Sequence, residues 1–265
     1  MTKPTISFAL IVKNEVENID GFFETIAPLA DELVVAYSAS TDGTLEKLES
    51  WKAKVSYPVI IYTHTETPFH YGRARNETIR RATKDFVFML DTDERLPEDT
   101  VTRLKAFLAD KNPEAVVMQR EDDVTPHLID PQTRIIRNHG GIEYATDVGG
   151  QLHEHLVLSG PATKFDGILL HKQGSNHWIY RHDRFFTLLA KEVDRAENTR
   201  GLFREFIRGL AGFFYKFRKE YFRKKTYLDG RAGFKYSFLR GFHSFLFHFF
   251  VGLKPRVRAH DKNNH

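Results

Sequence analysis

The run Phe86 to Arg95, FVFMLDTDER, holds the residues whose type and spacing most directly suggest chemistry. An apolar stretch ending at Leu90 reads as a buried strand, and Asp91 and Asp93 follow where that strand should end. Carboxylates at i and i+2 of an extended segment point the same way. Side by side they repel unless a cation or a donor stands between them, so the pair suits a divalent metal that carries phosphates. The same run also fits a strand followed by an acidic turn that starts the next helix, with Pro97, Glu98 and Asp99 as its first turn.

The elements that must position this pair alternate. Thr5 to Val12 reads as a central strand, and Asn14 to Ala30 as a helix with apolar spacing at Val16, Ile19, Phe22, Phe23 and Ile26. Glu32 to Tyr37 is a second strand, and SASTDGT supplies a turn into a helix over Thr44 to Lys54. Val59 to Thr63 is a third strand, and a polar loop reaching Arg73 leads into a helix over Arg75 to Thr83 and then the Phe86–Leu90 strand. This is the pattern of a doubly wound, mostly parallel sheet, whose ligands sit at the carboxyl ends of the strands. Beyond it follow a helix over Thr100 to Asp110 and a strand over Ala115 to Gln119. Arg120 to Gly150 is polar and turn-rich, and Gln151 to Leu158 and Gly167 to His171 read as two further strands.

Composition divides the chain. The formal charge of +4 sums −8 from Met1 to Tyr180 and +12 from Arg181 to Arg258, and 15 of the 23 Phe lie between Phe185 and Phe250. An acidic α/β domain over 1–180, a basic Phe-rich helical region over 181–258 and a polar tail over 259–265 are therefore expected. In the second, Phe185 to Val193 and Leu202 to Phe217 fit amphipathic helices. Phe234 to Leu253 is the most apolar stretch, but Lys235, Arg240, His243 and His248 interrupt it, so it is expected to lie in a headgroup region against anionic lipid rather than to cross a bilayer. Packing of these Phe against the sheet or a second copy is the other reading. The chain has no cysteine, which excludes disulfides, thiolate catalysis and Cys-bound metal sites. The N-terminus has a short apolar run and no cleavage signal, implying a protein that stays in the cytosol.

Four stretches in order, ALIVKNEVENI, DELVVAYSASTDGT, GRARNETIRRATKDFVFMLDTDERL and LHEHL, resemble the family 2 glycosyltransferases over about the first 170 residues. The back half, with KEYFRKKTYLDGRAGFKYSFLRGFHSF, resembles the branch that contains lipopolysaccharide core β-glucosyltransferases. The resemblance implies the GT-A fold, a doubly wound mixed sheet with a C-terminal amphipathic helical extension. It further implies inverting transfer of a sugar from a nucleotide donor, with UDP the implied nucleotide, to a glycolipid, lipopolysaccharide-core or polysaccharide-precursor acceptor at the inner face of a membrane.

By the same resemblance Asp93 binds a divalent ion, Mn2+ or Mg2+, Asp91 its water shell or the ribose, and His171 is a further ligand. Arg73, Arg75 and Asn76 contact phosphates or base. Glu154, in LHEHL, is the base that takes the acceptor proton, with His153 beside it in the substrate site. Tyr37 stands where related enzymes carry an aspartate that reads uracil or ribose. A tyrosine there can stack or donate one hydrogen bond but cannot accept as a carboxylate does. Glu15 and Asp42 remain as donor-site residues, Asp42 also as a cap of the second helix. Two other classes fit less of the chain: a non-catalytic membrane scaffold of the same fold, which the Tyr37 change suggests, and a basic nucleic-acid-binding protein. The carboxylate pair and the acidic front half count against nucleic acid as a partner. The Phe-rich helices could also join copies of the chain into an oligomer.

Overall fold

The computed structural model describes residues 3–67, 69–145, 156–158, 160–172 and 182–256. The chain separates into two compact units, the first of residues 1–120 and 130–172, the second of 121–129 and 173–265.

The first unit is built on strands β1 (Ile6–Val12), β2 (Glu32–Tyr37), β3 (Val59–Thr63), β4 (Phe86–Met89), β5 (Glu94–Arg95), β6 (Ala115–Asp122) and β7 (Asp130–Arg137), with β8 (Glu143–Tyr144), β9 (Leu156–Val157) and β10 (Thr163–His171). Eight of them form one sheet in the order β3-β2-β1-β4-β7-β6-β10-β5, and β8 and β9 pair separately. β1, β2, β3 and β4 are mutually parallel, whereas β7 runs antiparallel to both β4 and β6, and β5 to β10.

The strands are apolar on both faces because helices cover both. Phe8 and Leu10 of β1 and Phe86 and Phe88 of β4 join Ile19, Phe22 and Phe23 of α1 (Val16–Ile26), Leu48 of α2 (Thr44–Lys52) and Leu104 and Leu108 of α4 (Glu98–Lys111) in one core. The alternate residues Ala9, Val87 and Met89 face Ile79 of α3 (Tyr71–Arg81) and Tyr144 on the other side. At the opposite end of the strands from the acid pair, the buried Glu32 accepts from Ser7 Oγ and from Thr83 N and Oγ1, fixing β1, β2 and the approach to β4 together. Burial pushes its carboxyl up, but these bonds outweigh that and hold it below the usual range.

Two expectations need correction here. The helix carrying Arg75 starts at Tyr71, because His70 caps it by accepting from Arg73 N at 3.3 Å, so Arg73 too lies inside the helix and not in the loop before it. The polar segment after Arg120 is not all turns: Asp130–Arg137 is an interior strand, between β4 and β6. Its charged residues hid it, because a strand that buries an arginine against carboxylates lacks the usual apolar signature.

In the second unit, α5 (His182–Arg195), α6 (Leu202–Arg218) and α7 (Gly230–Leu253) pack with short helical turns at Lys219–Arg223 and Thr226–Asp229. Phe185, Leu189 and Tyr236 are its buried centre, with Leu128 from the 121–129 loop packed against them. The most apolar stretch of the sequence lies within α7, which packs against both α5 and α6. Its buried Gly241 and Gly252 admit α6, and its buried Gly233 and Ser237 admit the Thr226–Asp229 turn. No helix among the described residues is long and apolar enough to cross a membrane.

Candidate active site

β4 ends at Met89, and the chain turns back at Thr92 and Asp93, with Glu94 N donating to Asp91 O at 3.1 Å. Asp91 and Asp93 therefore do not share one strand face, as an extended reading predicts, but point to different partners.

Asp91 is bracketed by guanidinium groups. Arg75 Nη2 of α3 lies 3.0 Å from Oδ1, and Arg134 Nη2 of β7 lies 3.3 Å from Oδ2. Desolvation pushes the carboxyl up, and the two arginines outweigh it, holding Asp91 well below the usual carboxylate range. Behind it, the fully buried Glu94 accepts from Arg134 and from Asp91 N, with Arg120 Nη1 at 3.9 Å. Burial and the neighbouring Asp91 push the Glu94 carboxyl up against the pull of Arg134. Arg134, itself 5 % exposed, is held charged by both acids against its own desolvation. Neither Glu94 nor Arg134 was expected. The signal for Glu94 was its place as third acid of DTDE; for Arg134 only the flanking Ile135 and Ile136 hinted at a strand.

Asp93 faces the other way. His171, at the end of β10, brings Nε2 within 3.2 Å of Asp93 Oδ2, and Lys172 N donates to Asp93 O at 2.7 Å. The antiparallel pairing of β10 with β5, His171 opposite Glu94, sets this approach. A carboxylate and an imidazole so placed fit two ligands of a divalent ion whose remaining positions go to phosphate oxygens and water. Among the described residues no group of three or more acidic or histidine side chains could enclose an ion, so any ion held here relies on a ligand to complete it. The turn is stiffened from α1: Arg95 donates to Thr92 O and Glu94 O, and approaches Asn18 O at 3.3 Å.

The loops after β1 and β2 close onto this turn. Glu15 Oε2 accepts from Thr92 Oγ1 at 3.0 Å and from Asn18 Nδ2 at 2.7 Å. Asp42 accepts from Val16 N and Thr44 N, both at 3.1 Å, capping the starts of α1 and α2 at once; the Thr44 hydroxyl above all holds its carboxyl low. Asn14 adopts φ 53° and accepts from Thr41 N through its side chain at 2.9 Å. Tyr37 is buried, and its hydroxyl accepts from Ser40 N at 2.9 Å, so it braces the β2–α2 loop.

Other expected residues separate. Arg73 is on the surface, ion-paired with Glu66, while Arg75 alone of the two reaches the acid pair. Asn76 is buried and its amide is used by the backbone of Tyr144, donating to its O at 2.9 Å and accepting from its N at 2.7 Å. It is a brace between α3 and β8 and not an exposed phosphate contact. His153 and Glu154 lie outside the described residues.

Among curated proteins, the SPbeta prophage-derived glycosyltransferase SunS of Bacillus subtilis is 24% identical over 154 residues, which cover 57% of this chain and 34% of SunS. This chain thus spans about a third of that relative's length. An uncharacterized glycosyltransferase of Rickettsia bellii is 24% identical over 257 residues, 91% of this chain and 84% of the relative. Among solved structures, S. aureus TarS 1-349 aligns with a TM-score of 0.48 at 14% identity, covering 71% of this chain and 65% of TarS. The sequence profile of glycosyl transferase family 2 matches residues 7–240, nearly the whole chain, and the protein belongs to that family.

Proposed function

We propose that the protein is a metal-dependent inverting transferase that moves a sugar from a nucleotide-diphosphate donor, UDP-linked in this reading, to an acceptor hydroxyl. The observation that carries the reading is His171 Nε2 at 3.2 Å from Asp93 Oδ2, beside an Asp91 already fixed by Arg75 and Arg134. Asp93 and His171 would hold the divalent ion, Mn2+ or Mg2+. When bound, it supplies positive charge that offsets the departing diphosphate.

The chain's own groups do the rest in this reading. Arg75 and Arg134 fix Asp91 and place positive charge beside the site for phosphates. Glu15 and Asp42 order the loops that receive the nucleoside, and Tyr37 supports them from beneath. Glu154 takes the acceptor proton as general base, with His153 in the acceptor site. The acceptor would be a glycolipid, lipopolysaccharide-core or polysaccharide precursor at the cytoplasmic face of a membrane. The similarity to the lipopolysaccharide core branch and the basic Phe-rich composition of 181–258 support this.

The test is thermal melting with a panel of nucleoside diphosphates and nucleotide sugars, with and without Mn2+. A ligand at a hundred times its dissociation constant adds about 2.7 kcal/mol. One nucleotide should shift the midpoint only with metal, and Asp93→Ala and His171→Ala should each abolish that shift while leaving the ligand-free midpoint within a few degrees. No shift with any nucleotide would sink the reading.

A further inference from the structure

Small and polar groups lie between α6 and α7, beside aromatic pairs such as Phe206–Phe245 and Phe213–Phe238. A Cβ on Gly209 would come within 3.1 Å of Phe245 O, one on Gly212 within 2.7 Å of Ser244 Oγ, and one on Gly241 within 2.9 Å of Phe213 O. Glu205, 3 % exposed, meets His248 Nδ1 at 2.7 Å. Where the Thr226–Asp229 turn meets α7, the buried hydroxyls of Thr226 and Ser237 bond each other at 2.8 Å. The glycines let the two backbones approach closely, which turns the larger apolar side chains of α6 away from α7.

Outward, the same helix carries apolar bulk. Leu202, Phe203, Phe206, Ile207, Leu210 and Phe214 are all exposed, Phe203 by 76% and Phe214 by 65%. At 3.6 residues per turn they fall in one sector about 140° wide. The charge is equally one-sided. Residues 200–225 contain nine Lys and Arg against two acids, Glu205 and Glu220, and both acids are turned inward and paired, with His248 and Lys224. The exposed surface of α6 and the turn after it therefore offers cations and hydrocarbon with no exposed carboxylate.

We infer that α6 is the face by which this protein docks on an anionic lipid bilayer, its Leu, Ile and Phe entering the headgroup boundary and its arginines meeting lipid phosphates. A second copy fits the face poorly, since like faces would bring the exposed Arg204, Arg208 and Arg218 against their own counterparts. Nucleic acid would satisfy the arginines but leave Leu202, Ile207 and Leu210 in water. For its purpose, delivery to a membrane-borne acceptor, the inference rests on the function proposed above; the surface itself is argued from α6 alone.

The experiment is flotation of the full chain with phosphatidylcholine vesicles, with and without phosphatidylglycerol, in the absence of donor. The chain should float only with the anionic vesicles and should leave them at high salt. Phe203→Ser with Phe214→Ser, and separately Arg204→Glu with Arg208→Glu, should each lower partitioning about tenfold or more. Both pairs should keep the melting midpoint and the nucleotide-induced shift. Phe203→Trp should show fluorescence quenching by brominated lipid. Flotation equal in native and substituted protein, no quenching of the Trp, a dimer in place of flotation by light scattering, or a salt-sensitive nucleic-acid complex without flotation would each overturn the inference. Nucleotide shifts without flotation would leave the transferase reading standing and remove this one; flotation without nucleotide shifts would do the reverse.

Discussion

At the scale of the residue, the pair Asp91 and Asp93 was legible because both lie in one short run, but their division of labour was not. Arg75 and Arg134 are 16 and 43 positions from Asp91, and no local pattern announces an ion pair at that distance. Arg134 is the most exposed to test. It is the close partner of a carboxylate with no solvent contact, so Arg134→Leu leaves Glu94 with the Asp91 N–H and, as its remaining cation, Arg120 at 3.9 Å. Breaking such a pair on one side costs about 3–5 kcal/mol. Urea denaturation at pH 7 should show that loss, and it should shrink as pH falls, since a Glu94 that takes a proton no longer needs a cation. An equal loss at every pH would mean that packing and not charge sets the cost. Asn76→Ala removes two bonds to the Tyr144 backbone and should cost about 2 kcal/mol, whereas Arg73→Ala, on the surface, should cost under about 1 kcal/mol.

At the scale of the element, strand and helix alternation through β4 could be read from apolar periodicity because those strands are covered on both faces. β7 could not, because its buried content is partly ionic, and the true start of α3 at Tyr71 depends on a histidine cap that has no strong sequence signature. The junction of α1 with the acid turn is another feature visible only in three dimensions. Gly21 reads as an ordinary helical glycine, yet a Cβ there would sit 2.5 Å from Arg95 Nη2. Gly21→Ala must push that guanidinium from its bonds to Thr92 O and Glu94 O, and with it loosen the turn that sets Asp91 and Asp93. Because Ala gains about 1 kcal/mol over Gly inside a helix, we expect little net change in stability but a smaller metal-dependent nucleotide shift than the native protein gives. The control is Gly140→Ala, a glycine at φ 78° with nothing near a Cβ. It should strain its own turn and leave the nucleotide shift unchanged, so an equal effect of the two substitutions on that shift would remove Arg95 from the account.

At the scale of the whole molecule, the acidic front and basic back of the sequence fold into units with different buried charges, and acid should separate them. In the helical unit, burial and then Arg240 and Lys216 push His243 down to about 4 from its ordinary 6.5. Between those values the unfolded chain holds a proton that the native unit refuses. Stability is therefore full above 6.5, falls as pH drops toward 4, and is level below it, a loss of up to about 3 kcal/mol. Glu192, whose Oε2 lies 3.9 Å from His243 Nδ1, is lifted above its ordinary 4.5 by burial and acts in the opposite sense near that value, which narrows the loss. The sheet unit has the reverse design. Glu32 is held low by Ser7 and Thr83 against its own desolvation, Asp85 by Thr5, and Asp91 by Arg75 and Arg134, so their contributions persist above the ordinary carboxylate values of 4.5 and 3.8 and are lost only below them. Titrated from pH 7 to pH 5, the helical circular dichroism signal should weaken to thermal challenge before protection of the β1, β2 and β4 amides from hydrogen exchange does. His243→Gln should remove most of that early slope. Coincident loss of both signals, unchanged by His243→Gln, would show that the helical unit does not carry this acid sensitivity.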